Sequence, residues 1–231
     1  MPFTEGRRPF IQAAYRGDMR DQYYEQLDQI VDELVQLTDD VRQAVADATR
    51  ALLEADGTVA EKVIDGDKLI DEATERIEER ALLLLATQQP VATDLRQLVA
   101  TLRMIADLQR MGALAVHVAK VARRRMPDSA VPELLRPTIT SMAQVADQMI
   151  DAASRIVANR DVPAAFALEE DDDEMDRLRK GLLRTLLSGD WEHGVEPAVD
   201  LALLGRYYER IGDHAVSMAR RVVFLVTGQL A

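Results

Sequence analysis

The sequence predicts an all-α protein of six long helices, arranged as two tandem antiparallel three-helix bundles. Three observations lead there. Alanine and leucine dominate the 231 residues, aromatics make up 4% and prolines number eight, and no stretch alternates like a strand between hairpin turns. Apolar residues instead recur three and four apart over long segments, the signature of amphipathic helices. Finally, the chain repeats itself. Leu37 through Asp71 align without a gap on Met142 through Asp176, where Gln43, Arg50, Asp56, Asp67 and Asp71 recur as Gln148, Arg155, Asp161, Asp172 and Asp176. After a shortening of five residues, Gln109-Arg110-Met111-Gly112-Ala113 matches Glu209-Arg210-Ile211-Gly212-Asp213 at an offset of 100. Two stacked three-helix bundles are the economical arrangement, and one continuous six-helix bundle is the alternative.

Residues 1–17 mix two prolines with two glycines and read as a flexible leader. The first bundle then occupies 18–127 and the second 128–231. The first helix runs from Asp18 to Glu54 and ends by Asp56-Gly57. Thr58 caps the second, which continues to Thr87. Pro90 suits the first turn of the third helix, where a missing N–H costs nothing. That helix ends on Arg123-Arg124-Arg125, before Pro127-Asp128-Ser129. Pro132 and Pro137 lie at the start of the fourth helix, which reaches Asn159, and Pro163 opens the fifth, which ends near Ser188-Gly189-Asp190. The sixth begins between Trp191 and Pro197 and runs nearly to Gly228. Its apolar stripe is Leu201, Leu204, Tyr208, Ile211, Ala215, Met218, Val222 and Leu225. At about 1.5 Å per residue it is roughly 45 Å long or more, and long helices on short links pack antiparallel.

Composition excludes several functions. Without cysteine there are neither disulfides nor thiolate ligands, and three histidines (His117, His193, His214) do not make a histidine-based zinc site, so any metal would need oxygen ligands. A net charge of -12 argues against general nucleic-acid binding. The arginine triplet is either a local basic surface or a helix end, where cations suit the dipole. No run of eighteen apolar residues exists and the N-terminus lacks an apolar secretory region. A cytoplasmic protein follows, one that docks on membrane complexes only peripherally.

The Glu209–Asp213 run carries the most chemical information. On a helical wheel both carboxylates flank the direction opposite the apolar stripe, one turn apart on an exposed face. Salt bridges to Arg206 and Arg210 would explain them. The alternative starts from Asp172 and Asp176 on the preceding helix, within Glu169-Glu170-Asp171-Asp172-Asp173-Glu174-Met175-Asp176, where seven of eight residues are acidic. Helix pairs that present Asp and Glu to each other hold hard cations through oxygen. Gly112 and Gly212 recur in helix interiors, where glycine costs about 1 kcal/mol relative to alanine. They either admit a neighbouring helix or leave room for an ion. His214 adjoins Asp213, but no nucleophile, phosphate loop or histidine network accompanies it, and it reads as a partly buried residue on the helix flank.

The combination resembles the PhoU family of phosphate-transport accessory proteins, from Met19 to Val226. The resemblance rests on Gln89-Pro90-Val91-Ala92-Thr93-Asp94-Leu95-Arg96, on Leu102-Arg103-Met104-Ile105-Ala106-Asp107, and on Tyr208-Glu209-Arg210-Ile211-Gly212-Asp213-His214-Ala215. It implies a cytoplasmic, non-catalytic homodimer that restrains high-affinity phosphate uptake and the phosphate-starvation response. The implied partners are the ATP-binding subunit of the phosphate transporter and a membrane sensor histidine kinase. It also implies a metal signature in each repeat, able to hold iron, zinc, manganese or magnesium. Glu209 and Asp213 match it, with Asp172 and Asp176 as supporting carboxylates and Asp67 and Asp71 as their repeat-mates.

The first repeat departs from that pattern. Gln109 replaces an acid, Ala113 has no ligand atom, and only Asp67, Asp71 and Asp107 remain as acids there. The expectation is one competent site, in the second repeat. Two other classes stand beside the regulator: a carboxylate-bridged metalloenzyme of helical-bundle type, and a metal-free helical adaptor.

Overall fold

The computed structural model describes residues 8–229, with the backbone alone at 8–19 and 169–171. Six helices carry the described chain: α1 (Arg8–Glu54), α2 (Gly57–Gln88), α3 (Ala92–Arg125), α4 (Arg136–Asn159), α5 (Val162–Leu186) and α6 (Val195–Thr227). A 3-10 turn, Glu133–Leu135, precedes α4. Helix α1 begins before Asp18, so the segment read as a leader is helical from Arg8, and residues 1–7 lie outside the described residues. Proline is tolerated in a first turn, where Pro9 falls, and one interior glycine such as Gly17 costs about 1 kcal/mol, too little to stop a long helix.

The duplication is written into the backbone. Asp56, rather than Thr58, caps α2, its carboxylate accepting from the N–H groups of Thr58 at 2.9 Å and Val59 at 3.1 Å. Asp161 caps α5 in the same way, accepting from the Ala164 N–H at 3.0 Å. The residues before these caps, Ala55 and Arg160, share the left-handed φ of 54°. The cap N–H groups donate back to the carbonyls of Ala51 at 3.1 Å and Ile156 at 3.2 Å. Ala51, Ala55, Asp56 and Val59 have their matches 105 residues on, whereas Thr58 corresponds to Pro163, which has no N–H to donate. Pro90 stands before the Val91 cap of α3 and stiffens the link instead of opening the helix.

Helices α1, α2 and α3 pack on one another, as do α4, α5 and α6; α1 also lies on α4 and α3 on α6. The four central helices therefore share one continuous core, from Tyr23 to Leu225, while α2 and α5 cover its flanks. The whole predicted stripe of α6 is buried in it. Polar ties lock the two bundles together. Arg42 pairs with Asp147 at 2.6 Å and with Asp151. Tyr208, fully buried, meets the Thr49 hydroxyl at 2.8 Å. Along the antiparallel α3–α6 seam, Arg96 donates to the Leu225 carbonyl at 3.1 Å. His117 stacks on Tyr207 at 5.3 Å between ring centres, and Arg125 pairs with Asp200 and with Glu196. Arg124 also takes Asp200, and Arg123 takes Glu61. The arginine triplet is thus a neutralised helix end, not a free basic surface. Among the described residues no helix is long and apolar enough to cross a membrane.

Candidate functional site

Gly112 and Gly212, inside α3 and α6, are notches into which a neighbouring side chain and an aspartate fit together. A Cβ on Gly212 would stand 3.0 Å from the Met149 sulfur and 3.7 Å from Asp172 Oδ1. On Gly112 it would stand 3.1 Å from Ile70 Cδ1 and 3.7 Å from Asp67 Oδ1. Equivalent carboxylates therefore lie over equivalent glycines. Periodicity alone does not bring α5 onto α6 at this point; the notch does.

Around the second notch the acids differ in state. Asp213 is exposed, as the wheel required. Glu209 is not: it is only 8% exposed, gripped by Arg206 from its own helix and by Arg179 of α5 at 3.2 Å. A wheel locates the stripe of its own helix, but α6 is covered by three neighbours, and α5 closes over the face that the wheel left open. Arg206 was foreseen as a partner. Arg179 was not, and nothing on its own helix marks it. Asp176 pairs with Lys180 at 3.0 Å. Asp172 is left with its ionisation pushed up, first by burial and then by Asp213, Asp176, Glu209 and Asp173.

The charge at the first notch is partly offset from within. Gln109 Nε2 donates to Asp71 Oδ1 at 2.7 Å, so an amide makes a hydrogen bond where the second repeat carries the acid Glu209. Burial and Asp71 raise Asp67, but Lys120 and His117 oppose them. Asp107 does not belong to this group. It points the other way, into the α3–α6 seam, where it meets His214 Nδ1 at 3.0 Å and Arg221 at 3.4 Å. His214 is correspondingly buried, at 6% exposure, rather than at the helix flank. The signal available in the sequence was Asp107 itself, an acid at a stripe position between Met104 and Met111.

Among the described residues no three histidine, aspartate or glutamate side chains converge closely enough to hold a metal ion. The donors at the second notch are oxygens, suited to a hard cation, but Glu209 is committed to two guanidinium groups. In the conformation seen, the residues do not form a cage.

A duplicated three-helix scaffold with an acidic notch on each flank defines the class: an all-helical protein of two tandem three-helix bundles. The PhoU domain family model matches residues 34–122 and 139–222, one match to each repeat, and the chain belongs to the PhoU family. It is 45% identical over 210 residues to the phosphate-specific transport system accessory protein PhoU homolog 2 of Mycobacterium tuberculosis, covering 91% of this chain and 99% of the relative. A PhoU homolog from Rhizobium meliloti is 32% identical over 178 residues, 76% of this chain and 75% of the relative. The crystal structure of PhoU from Pseudomonas aeruginosa superposes with a TM-score of 0.84 at 28% identity, covering 90% of this chain and all of that one.

Proposed function

We propose that this chain is a cytoplasmic negative regulator of high-affinity phosphate uptake and of the phosphate-starvation response. It acts as a homodimer, by binding the ATP-binding subunit of a phosphate transporter and a membrane sensor histidine kinase. The observation that carries this reading is the likeness, over nearly the whole chain, to relatives named as accessory proteins of phosphate-specific transport. Control of this kind works by binding one state of a partner more tightly than another, and it asks no chemistry of the regulator. The test is removal of the gene, with phosphate uptake and pulldown measured in cells shifted between high and low phosphate. Loss of the protein should raise uptake at high phosphate. Unchanged uptake, with recovery of neither a transporter ATPase nor a sensor kinase, would overturn the reading.

Metal enters as an accessory. A hard cation at the second notch would take Asp172, Asp176 and Asp213, with Glu209 joining on release from Arg179 and Arg206, and it would fasten α5 to α6. Iron or manganese bound by the purified protein should be lost in Asp172→Ala/Asp213→Ala and unaffected by Asp67→Ala/Asp71→Ala. Equal loss in both variants would remove the asymmetry.

A further inference from the structure

The solvent face of α3 and α6 carries a second pattern, independent of the notches. Arg103, Ala106, Arg110, Ala113 and His117 are all exposed and stand three and four apart, a single stripe along α3. Arg210 is exposed on the facing stretch of α6, bracketed by the cross-seam contacts of His214 with Asp107 and of Tyr207 with His117. Elsewhere in this acidic chain Arg42, Arg80, Arg123 and Arg155 are matched with carboxylates, while Arg76 and Arg184 stand singly on the outer helices. Arg103, Arg110 and Arg210 have no hydrogen-bond or ion-pair partner among the described residues.

We propose that this α3–α6 face binds an acidic amphipathic helix of a partner protein, laid along the stripe so that its carboxylates meet Arg103, Arg110 and Arg210. The proposal rests on the reading that the chain acts by binding proteins, and it specifies the chemistry of one partner surface. Arg103 and Arg110 lie two helical turns apart, so a partner helix with acids at a seven-residue spacing repeats in register with them. Guanidinium groups bind carboxylates through paired hydrogen bonds, which fixes orientation as well as charge. Ala106 and Ala113 keep the stripe low between the arginines, allowing close approach.

Charge decides between an acidic helix and a broad anionic surface. Asp67 and Asp71 of α2 lie beside Gly112 and Gln109, and Asp172 lies beside Gly212 with Asp213 exposed next to it. A flat anionic bilayer spanning both helices would meet these acids as well as the arginines. Like charges so placed cost affinity instead of adding to it.

The test uses the full chain and a fluorescein-labelled alanine–leucine helix carrying glutamate at every seventh position, read by fluorescence anisotropy at low salt. Arg103→Glu/Arg110→Glu/Arg210→Glu should weaken binding by about tenfold or more, while the same peptide with lysine in place of glutamate should gain affinity for that variant. Helicity of the variant should match the parent. Arg76→Glu/Arg184→Glu, at exposed arginines on the outer helices, should stay within about twofold of the parent. Equal binding by the triple variant, equal loss in the outer-helix variant, or phosphatidylserine vesicles held through the same three arginines would each overturn the proposal. No transporter component is present, so failure here leaves the phosphate role standing, and an absent phosphate phenotype leaves this surface standing.

Discussion

Asp172 holds its charge against burial and against the acids around it, and this sets the sign of its contribution. Its ionisation lies higher in the folded chain than in the unfolded one, so the folded state binds the extra proton. Stability is then greatest below the ordinary aspartate range, falls as pH rises from there to the raised value, and stays lower above it. Asp172→Asn should therefore raise the thermal midpoint at neutral pH and leave it unchanged in acid, below both values. Asp67→Asn should gain less, because Lys120 and His117 already offset that charge. Melting curves for the two variants across pH check both statements. This contrast was legible in the sequence only through Gln109 and Ala113, the lost acids. The basic neighbours Lys120 and His117 were not legible, since they act through the fold of α3 against α2.

At the scale of a helix, interior glycines with the same intrinsic cost occupy two kinds of surroundings, as four of them show. Gly66 and Gly181 have nothing within 4 Å of an added Cβ, whereas Gly112 and Gly212 face Ile70 and Met149 at 3.1 and 3.0 Å. Gly66→Ala should accordingly stabilise the chain by about 0.5–1 kcal/mol through helix propensity alone. Gly112→Ala and Gly212→Ala should instead lose about 1 kcal/mol, because overpacking outweighs that gain. Denaturant midpoints of the variants decide it, and equal behaviour at all four positions would mean that the notches do not matter to packing. Helix existence, length and order followed from periodicity and proline placement. The capping role of Asp56 did not, because Asp56 and Thr58 are both good cap residues and only the backbone turn at Ala55 selects between them.

Across the whole molecule, the repeats also differ at the seam between the bundles. Asp107 and His214 have Tyr207 and Leu114 as their counterparts at the 100-residue offset, so the polar contact exists on one side of the pseudo-twofold only. Asp107→Ala should cost about 2–4 kcal/mol, since it leaves His214 and Arg221 without their carboxylate in a buried place. Asp107→Leu/His214→Leu should cost less than that single change, because both partners go at once. A double-mutant cycle on unfolding free energy measures the difference. The stacking of two three-helix units was readable from the repeat. Which helices would meet was not, because each central helix carries an apolar arc wide enough for several neighbours.

Arg42 and Asp147 occupy the same position of the two repeats, and they touch. In an assembly of two identical, separately made halves, a symmetry axis at this point would set like against like, arginine on arginine or aspartate on aspartate. An opposed pair on the axis requires two halves that no longer share one sequence. This contact therefore postdates the duplication. From that step the two halves were free to differ, one carrying Glu209 and Asp213 where the other carries Gln109 and Ala113.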